Sequence, residues 1–198
     1  MTAKRYHDAT KHSPVSVRRD PHFLDWANQP RPFKIYADLD PIPLPRDLPQ
    51  TGVAALSAIA ATGVAAGAGA RPDLRALAHV LYFAAGITKR RTYPGGELLF
   101  RAASCTGALY EIELYVVCGD LADLAAGVYH FNPGDMALRR LRAGDWRAAV
   151  EGVPAAAAMI VSTGTYWRNA WKYQARTYRH FGWDNGTLLA NLLAAAAA

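Results

Sequence analysis

The side chains best suited to chemistry lie in residues 166–180, YWRNAWKYQARTYRH. If this segment is one helix, its cations fall in a single stripe at spacings of four, four and three: Arg168, Lys172, Arg176 and Arg179. A neighbouring stripe is mostly aromatic: Trp167, Trp171, Gln174 and Tyr178. Like charges four residues apart repel by roughly 0.2–0.5 kcal/mol on an exposed helix. Two interpretations stay open: a solvated basic face over an aromatic core face, or a site in which an anion lies along the cations.

A second candidate site is the segment 101–110, RAASCTGALY, which runs directly into a predicted strand. Small residues such as Gly107 allow backbone N–H groups to approach a flat or phosphorylated ligand closely. Arg101 could meet the negative charge of that ligand. The alternative is a tight loop whose small residues pack beneath a helix. The residues themselves leave both interpretations open.

Composition limits the class of protein. A chain of 198 residues that is 52% hydrophobic can bury one sizeable core. Its net charge of +6 suits an anionic partner, but also an ordinary soluble protein. Cys105 and Cys118 show no metal-ligand spacing, and neither do the histidines, so we expect no metal site and reduced thiols in the cytoplasm. The N-terminus lacks the apolar stretch of a signal peptide, and we expect no membrane partner.

Strand and helix patterns are mixed without a βαβ repeat, which favours an α+β fold. Asp73 can cap a helix that ends near Gly86. Residues 110–116 alternate with period two, as strands do. Residues 127–131 and 137–141 are predicted to form a hairpin, and residues 159–162 a short buried strand. We predict a basic loop over residues 88–96, and a separate apolar helix that begins at Asp184.

The N-terminal quarter of the chain is predicted to be an extended arm. Six prolines fall between Pro30 and Pro49, which argues against a helix or a central strand. Four aromatic residues are expected to pin this arm to the rest of the protein: Phe23, Trp26, Phe33 and Tyr36. We therefore divide the chain into an arm, residues 1–50, and a domain, residues 51–198. A glycine-rich stretch at residues 63–70 superficially matches a dinucleotide loop, but no strand precedes it.

Several motifs, in order along the chain, resemble one known family. RAASCTGALYEIELYVV resembles the loop-strand motif of nitroreductase-like flavoproteins, in the SagB-type branch of thiazole/oxazole-forming dehydrogenases. WRNAWKYQARTYRH and the later pattern D-x-G-x-x-L-A-N-L-L, which starts at Asp184, are similar to the same branch. The opening YHDATKHSPVSVRRDPHFLDWANQP looks like the arm before its flavin domain. The resemblance covers residue 5 to the end.

This resemblance implies a nitroreductase-like fold, with a central, mostly antiparallel sheet flanked by helices. It implies an FMN-dependent oxidoreductase that is usually a homodimer, with flavin at the subunit interface. By position, the catalytic Lys-Tyr pair of azole-forming members maps onto Lys172 and Tyr173. The flavin-binding positions are expected at residues of the two motifs: Arg101, Ser104, Cys105, Gly107, Leu109 and Arg176. The implied reaction oxidises azoline rings to azoles in a peptide or related natural product, together with biosynthetic partner proteins.

The chain departs from the family pattern in three places. Many relatives have Pro-Ser-Ala-Gly where this chain has residues 104–107, Ser-Cys-Thr-Gly. The Arg-Arg-Ser start that grips flavin phosphate in ordinary nitroreductases is not evident, and Arg90, Arg91 and Arg101 are possible substitutes. The sequence also stops inside the apolar helix, so we expect a C-terminally truncated domain.

Two other functions remain open at this stage. One is a general nitroreductase or enone reductase that uses NAD(P)H on the same fold. The other is a non-catalytic role as a flavin-binding relic or a scaffold. Residues that read bases and a known docking motif are not found in the sequence, so we expect no nucleic-acid partner.

Overall fold

The central element is a five-stranded antiparallel sheet with strand order β1-β6-β5-β4-β7. The computed structural model describes residues 2–19, 21–61, 71–153 and 156–198. The sheet strands are β1 (Pro41–Pro43), β4 (Ile112–Cys118), β5 (Gly127–Asn132), β6 (Ala137–Ala143) and β7 (Ala158–Gly164). Strands β2 (Ile87–Tyr93) and β3 (Gly96–Arg101) form a separate antiparallel pair.

Six helices accompany the sheet in the described part of the chain. They are α1 (Ala3–Thr10), α2 (Pro14–Arg19), α3 (Ala55–Ala60), α4 (Leu74–Ala85), α5 (Tyr166–Tyr173) and α6 (Thr177–Ala197). The core lies between the sheet, α4 and α6, where Leu81, Leu114, Val116 and Leu188 are buried. Within the described ranges, the helices are all too short or too polar to cross a bilayer.

The α+β prediction, with a mostly antiparallel sheet flanked by helices, is confirmed. The Asp73 carboxylate accepts a hydrogen bond from the Ala76 backbone N–H at 2.7 Å, which begins α4 as predicted, and Gly86 follows its last residue. The hairpin predicted from residues 127–141 is β5 and β6. The strand predicted at residues 159–162 lies within β7, but these residues are only partly buried. The glycine-rich stretch at residues 63–70 lies outside the described residues.

Two predictions for the first hundred residues are wrong. Residues 88–96 do not form a loop, because they pair across the turn at Pro94 and Gly95 as the exposed hairpin β2–β3. The arm is not extended throughout, because it contains α1 and α2. The prolines of β1 are compatible with its position at the edge of the sheet, because an edge strand needs no N–H donor on its outer side. On its inner side, β1 pairs with β6.

The aromatic residues of the arm divide into two groups. Phe23 and Trp26 are 84% and 66% exposed, so burial does not pin the arm at these positions. Trp26 does place its ring edge-on to Trp171, at 5.3 Å between centroids. Phe33 lies against Gly134, and Tyr36 packs edge-on against His130 at 5.0 Å. The predicted pinning holds for the second pair.

The predicted single helix over residues 166–180 is also wrong. At Gln174 the backbone turns to φ 50° and ψ −132°, and a 3₁₀ turn separates α5 from α6. Helix α6 then runs through Asp184, which therefore does not begin a helix. Arg168 is buried and leaves the predicted cationic stripe, while Trp167 and Tyr178 of the aromatic stripe are exposed. Neither predicted stripe is present, because contacts with the rest of the fold, and not spacing along the helix, decide which of these side chains are buried.

A buried ion pair joins strand β4 to α5. The Glu113 carboxylate accepts from the Arg168 guanidinium at 2.6 Å, from His130 Nε2 at 3.0 Å and from the Lys34 backbone N–H at 2.9 Å. Burial alone would raise the pKa of Glu113. The hydrogen bond from His130 and the charges of Arg168 and Arg101 outweigh burial, so this pKa is lowered and the carboxylate stays ionised.

Arg168→Ala should therefore reduce the free energy of unfolding by about 3–5 kcal/mol, because it leaves the Glu113 charge buried with an incomplete set of partners. Urea unfolding of the purified protein measures this. Arg91→Ala, which removes an exposed arginine from β2, should change stability by less than about 0.5 kcal/mol. Equal stability losses in the two variants would contradict the role given to the ion pair.

Candidate functional site

The loop between β3 and β4 has an unusual backbone. Gly107, Ala108 and Tyr110 have φ values of 66°, 52° and 51°. Positive φ is uncommon for residues with side chains and costs energy, so surrounding contacts must hold it in place. Such backbone strain is concentrated at functional sites in proteins.

Tyr110 supplies the contacts that hold the loop. Its hydroxyl accepts from the Arg101 backbone N–H at 3.0 Å, and its own N–H donates to Cys105 Sγ at 3.1 Å. Its carbonyl accepts from Arg168 Nη1 at 2.7 Å. The arginine that pairs with Glu113 therefore also fixes the loop, and the ion pair and the candidate site share one network.

The structure brings two of the sequence-predicted site residues into contact, Gly107 and Tyr173. A Cβ atom added at Gly107 would lie 2.6 Å from Tyr173 Oη and 3.1 Å from the ring. A side chain at position 107 would thus displace the phenol. Tyr173 is also held by His180, whose ring packs edge-on against it at 4.6 Å. The loop motif and the Lys-Tyr motif, 66 residues apart in sequence, meet here.

Beside Tyr173 lies a cleft of about 440 Å³, within the size range of small-molecule sites. It is lined by Ala9, Thr10, Lys11, His12, Ser16, Val17, Pro21, His22, Lys172, Tyr173, Gln174, Ala175 and Arg176. The structure therefore places three predicted site residues, Lys172, Tyr173 and Arg176, around one space. The Lys172 ammonium lies 5.5 Å from the centre of the Tyr173 ring.

The remaining predicted residues do not border this cleft. Arg101, Ser104 and Cys105 line a cavity of about 20 Å³, which has room for about one water molecule. Leu109 lines a third space of about 100 Å³, next to Pro30 and Pro32. The predicted loop residues thus line two separate spaces. The cavity beside Arg101, Ser104 and Cys105 is too small for a flavin ring.

Arg101 differs from its expected role as an exposed anion contact. Its guanidinium is buried and donates to the backbone carbonyls of Pro32 and Ile112, at 2.8 and 3.4 Å. Burial lowers its pKa to about 10, so it remains a cation at neutral pH. Its immediate function is to join the arm to β4. Its part in flavin binding stays a prediction.

The Tyr173 phenol is suited to donating a proton rather than accepting one. Burial raises its pKa, and the nearby Cys105, Asp184 and Glu111 raise it further. The hydroxyl therefore keeps its proton at neutral pH and can donate a hydrogen bond. Any proton acceptor in the cleft must be another group, and Lys172 is the neighbouring candidate.

A cluster of Cys105, Glu111 and Asp184 lies behind the loop and was not predicted as a site. Cys105 Sγ donates to Glu111 Oε2 at 3.1 Å and lies 3.3 Å from Asp184 Oδ2, while Thr106 donates to Asp184 Oδ1 through its backbone N–H and its hydroxyl. Burial and the two carboxyl groups raise the pKa of Cys105, so the sulfur is a thiol and not a nucleophilic thiolate.

Glu111 is the titrating member of this cluster. Burial raises its pKa from 4.5 to about 7, and a shared hydrogen bond with Asp184 raises it too. The sequence did not indicate this residue, because the period-two alternation of residues 110–116 places Glu111 on the face opposite the apolar side chains. Its partner, Asp184, is 73 residues away in the sequence.

Solved structures identify the fold. No protein-family model and no curated protein matches this sequence. A candidate nitroreductase from Anabaena variabilis is 28% identical over 96% of this chain, with a TM-score of 0.72. A candidate nitroreductase from Ralstonia eutropha is 21% identical over 79% of this chain and 71% of its own, with a TM-score of 0.63. The fold is nitroreductase-like.

Two further facts limit the comparison. This chain spans 37% of the length of the Anabaena variabilis protein. The Escherichia coli microcin synthetase McbBCD complex, solved with truncated pro-MccB17 bound, matches at 18% identity and a TM-score of 0.49, over 98% of this chain and 79% of its own. The nitroreductase-like fold predicted from the motifs is confirmed by the first two structures.

The Glu111 pKa leads to a pH prediction. Between pH 4.5 and about 7 the folded state holds a proton that the unfolded chain releases, so this group makes stability fall as pH rises through that window. Glu111→Gln cannot titrate and should remove this component. The variant should therefore gain stability relative to the parent between pH 5 and pH 8 in urea unfolding. Exposed Glu151→Gln is the control, and a parallel pH profile for all three proteins would refute the assignment.

Proposed function

We propose that this chain is an FMN-dependent oxidoreductase of the SagB type, which oxidises azoline rings to azoles in a peptide or related natural product. The observation that carries this proposal is the contact between Gly107 and Tyr173 beside a cleft of about 440 Å³. It joins the two sequence motifs on which the family resemblance rests. The nitroreductase-like fold supports the proposal, because cofactors of such enzymes carry the redox chemistry while the protein positions the reactants.

The residues present fit a flavin at the edge of the loop. Gly107, with positive φ and no side chain, leaves backbone exposed beside Tyr173, which a flat ring system can approach. The Arg176 guanidinium on the adjoining cleft suits its phosphate or an anionic substrate. We propose Arg101, Ser104, Cys105 and Leu109 as supports of this loop rather than as a continuous flavin contact.

The proposed reaction assigns different tasks to Lys172 and Tyr173. Converting an azoline to an azole removes two ring hydrogens, one as a proton and one as a hydride. FMN, when bound, supplies the hydride acceptor. Lys172 is the group that takes the proton. Tyr173 keeps its own proton and donates a hydrogen bond that orients the ring, consistent with its raised pKa.

The second candidate is a general nitroreductase or enone reductase that uses NAD(P)H. The description of the Anabaena variabilis protein as a candidate nitroreductase favours it. The two candidates share FMN and fold but differ in the direction of electron flow. An azoline reduces the flavin in the first, and NADPH reduces it in the second.

A homodimer is part of the proposal. Helix α6 exposes 38% of Leu189 and 63% of Leu193, and an exposed apolar helix face is a common site of subunit contact. The mass of the purified protein in solution, measured by light scattering, decides between dimer and monomer.

Gly107→Val should abolish flavin retention. The branched side chain is disfavoured at φ 66° and would collide with the Tyr173 hydroxyl. Gly52→Val is a matched control, because Gly52 has φ 68° and no heavy atom within 4 Å of the added Cβ. Flavin absorbance after gel filtration gives the readout, and circular dichroism checks folding. If Gly107→Val keeps as much FMN as Gly52→Val, the loop is not at the flavin.

Lys172→Ala and Tyr173→Phe should slow azoline oxidation while FMN stays bound. Loss of a general base typically reduces the rate about a hundredfold to ten-thousandfold. Anaerobic reduction of the bound flavin by an azoline peptide, followed by absorbance, measures the step directly. Arg176→Ala is the comparison, and it should weaken ligand binding more than turnover of the bound complex.

The same experiment separates the two candidate functions. Equal reduction rates for the parent and Lys172→Ala would remove the lysine from the mechanism. A parent protein that is reduced readily by NADPH, and by no azoline, would support the nitroreductase function instead.

A further inference from the structure

The hairpin of β2 and β3 stands apart from the five-stranded sheet. Within the described residues, β2 pairs with β3 and with no other strand. Six of the seven residues of β2 are exposed, from Thr88 to Tyr93. The outer edge of β2 therefore presents unpaired backbone N–H and C=O groups to solvent. An edge of this kind is a template on which an extended chain can add a further strand.

Contacts with the rest of the protein hold this hairpin in place. The Arg90 guanidinium donates to Glu97 Oε2 at 3.2 Å and to the Gly134 carbonyl at 3.1 Å, in the turn between β5 and β6. At the other end of the hairpin, the Arg101 N–H donates to the Tyr110 hydroxyl at 3.0 Å. Because the edge is already fixed, a strand that pairs with it does not have to order it first, which favours binding.

One face of β2 carries two cations. Alternate residues of a strand project to the same side, so Lys89, Arg91 and Tyr93 share one face, while Arg90 lies on the other. We call these three residues the basic row. Tyr93 ends the row at the turn, where a Cβ atom added to Gly96 would lie 3.0 Å from its hydroxyl oxygen. Its side chain lies across the end of the hairpin and is 53% exposed.

The cations of the basic row have no charge partner in the hairpin. Residues 87–101 contain one acidic residue, Glu97, and it pairs with Arg90. In the part of the chain that the structure describes, Lys89 and Arg91 form no ion pair. Both side chains are exposed. An acidic partner can therefore form two charge pairs here without breaking one inside the protein.

The same cations determine which chain can add to this edge. Lysine on an exposed edge strand protects a protein from pairing with its own copies. Two copies joined through β2 would bring their lysines and arginines close together, and like charges on neighbouring strands are destabilising. A strand with a carboxylate at every second residue has the opposite sign at the matching spacing. Charge complementarity thus favours an acidic extended peptide over a second copy of this chain.

We propose that the outer edge of β2 binds an extended acidic peptide segment as an added strand, with alternate carboxylates on Lys89 and Arg91. Main-chain hydrogen bonds supply the affinity in this mode of binding, and side chains select the sequence. Strand β3 leads into the loop that carries Gly107, so the docked segment lies on the hairpin that directly precedes the candidate site. The proposal rests on the proposed function for one point, that the segment belongs to the azoline substrate.

Peptide binding to the purified protein is the direct test. The probe is a short peptide of alternating threonine and glutamate, and titration calorimetry at low salt measures its affinity. One control peptide has the same residues in two blocks, and the other is the probe with an N-methyl group on every residue, which cannot donate main-chain hydrogen bonds. We expect both controls to bind at least about threefold more weakly, and added salt to weaken binding of the probe. A probe that does not bind, or binds no more tightly than the controls, overturns the proposal.

Two double variants locate the site of binding. Lys89→Ala with Arg91→Ala removes two exposed cations from the basic row, and Arg18→Ala with Arg19→Ala removes two exposed cations from α2, which has no strand edge. We expect the first to weaken binding of the probe at least about threefold and the second to leave it unchanged. Circular dichroism checks that both are folded. Equal affinities for the two variants would contradict the proposal.

Three other occupants of the edge are outcomes of the same experiment, and each would overturn the proposal. If oligothymidylate of equal charge binds as tightly as the probe and depends equally on the basic row, the row recognises charge alone. If Lys89→Ala with Arg91→Ala converts a dimer to a monomer in light scattering, the edge belongs to a second copy. If that variant loses FMN while Arg18→Ala with Arg19→Ala retains it, the row holds the cofactor.

Steady-state kinetics relate the edge to the reaction. The two substrates are an azoline peptide that carries the alternating acidic segment and a short azoline without it. We expect the ratio of their KM values, longer to shorter, to rise at least about threefold in Lys89→Ala with Arg91→Ala. An unchanged ratio, in a protein that oxidises both, keeps the proposed function and overturns the docking of substrate on β2. Probe binding that depends on the basic row, in a protein that oxidises no azoline, retains the docking edge and rejects the proposed reaction.

Discussion

The ion pair between Glu113 and Arg168 is the interaction on which the rest of this structure depends. Both side chains are buried, and two charges in such a place are tolerated only when they pair with each other and form further hydrogen bonds. Glu113 gathers donors from β5, α5 and the arm. Arg168 uses a second nitrogen on the carbonyl of Tyr110. One pair of charges thus sets the position of α5, the arm and the loop after β3 relative to the sheet.

The loop connects that network to the candidate site. Tyr110, held by Arg168, keeps a backbone with several positive φ values, and this shape presents Gly107 to Tyr173. Because Gly107 has no side chain, the Tyr173 phenol can occupy its position beside the cleft. Cys105 and the carboxyl groups behind it complete the support of the loop from the other side. The same contacts therefore determine both the geometry of the candidate site and the stability of the fold.

Capping, turn and alternation patterns correctly predicted those helices and strands that depend only on residues close together in the sequence. Asp73 and Gly86 bound α4 because capping is a contact with the adjacent turn. The hairpin of β5 and β6 follows from a turn between alternating strands. Residues 88–96 were predicted as a basic loop, but they pair with β3, in which Leu99 and Phe100 are partly buried and Arg101 is buried. The alternation of residues 110–116 indicated a strand but gave no sign that Glu111 and Glu113 would both be buried.

The sequence by itself determined the α+β class, most of the strands and the two motifs that resemble the SagB-type branch. Those properties depend on the types of residues and on their spacing over short stretches of the sequence. Tertiary structure alone decided that Arg168 leaves the cationic stripe, that helix 166–180 breaks at Gln174, and that the arm forms a wall of the cleft. Each of these outcomes depends on partners between 55 and 173 residues away, since the burial of one charge requires another group from elsewhere in the fold. Spacing along one helix carries no information about such partners.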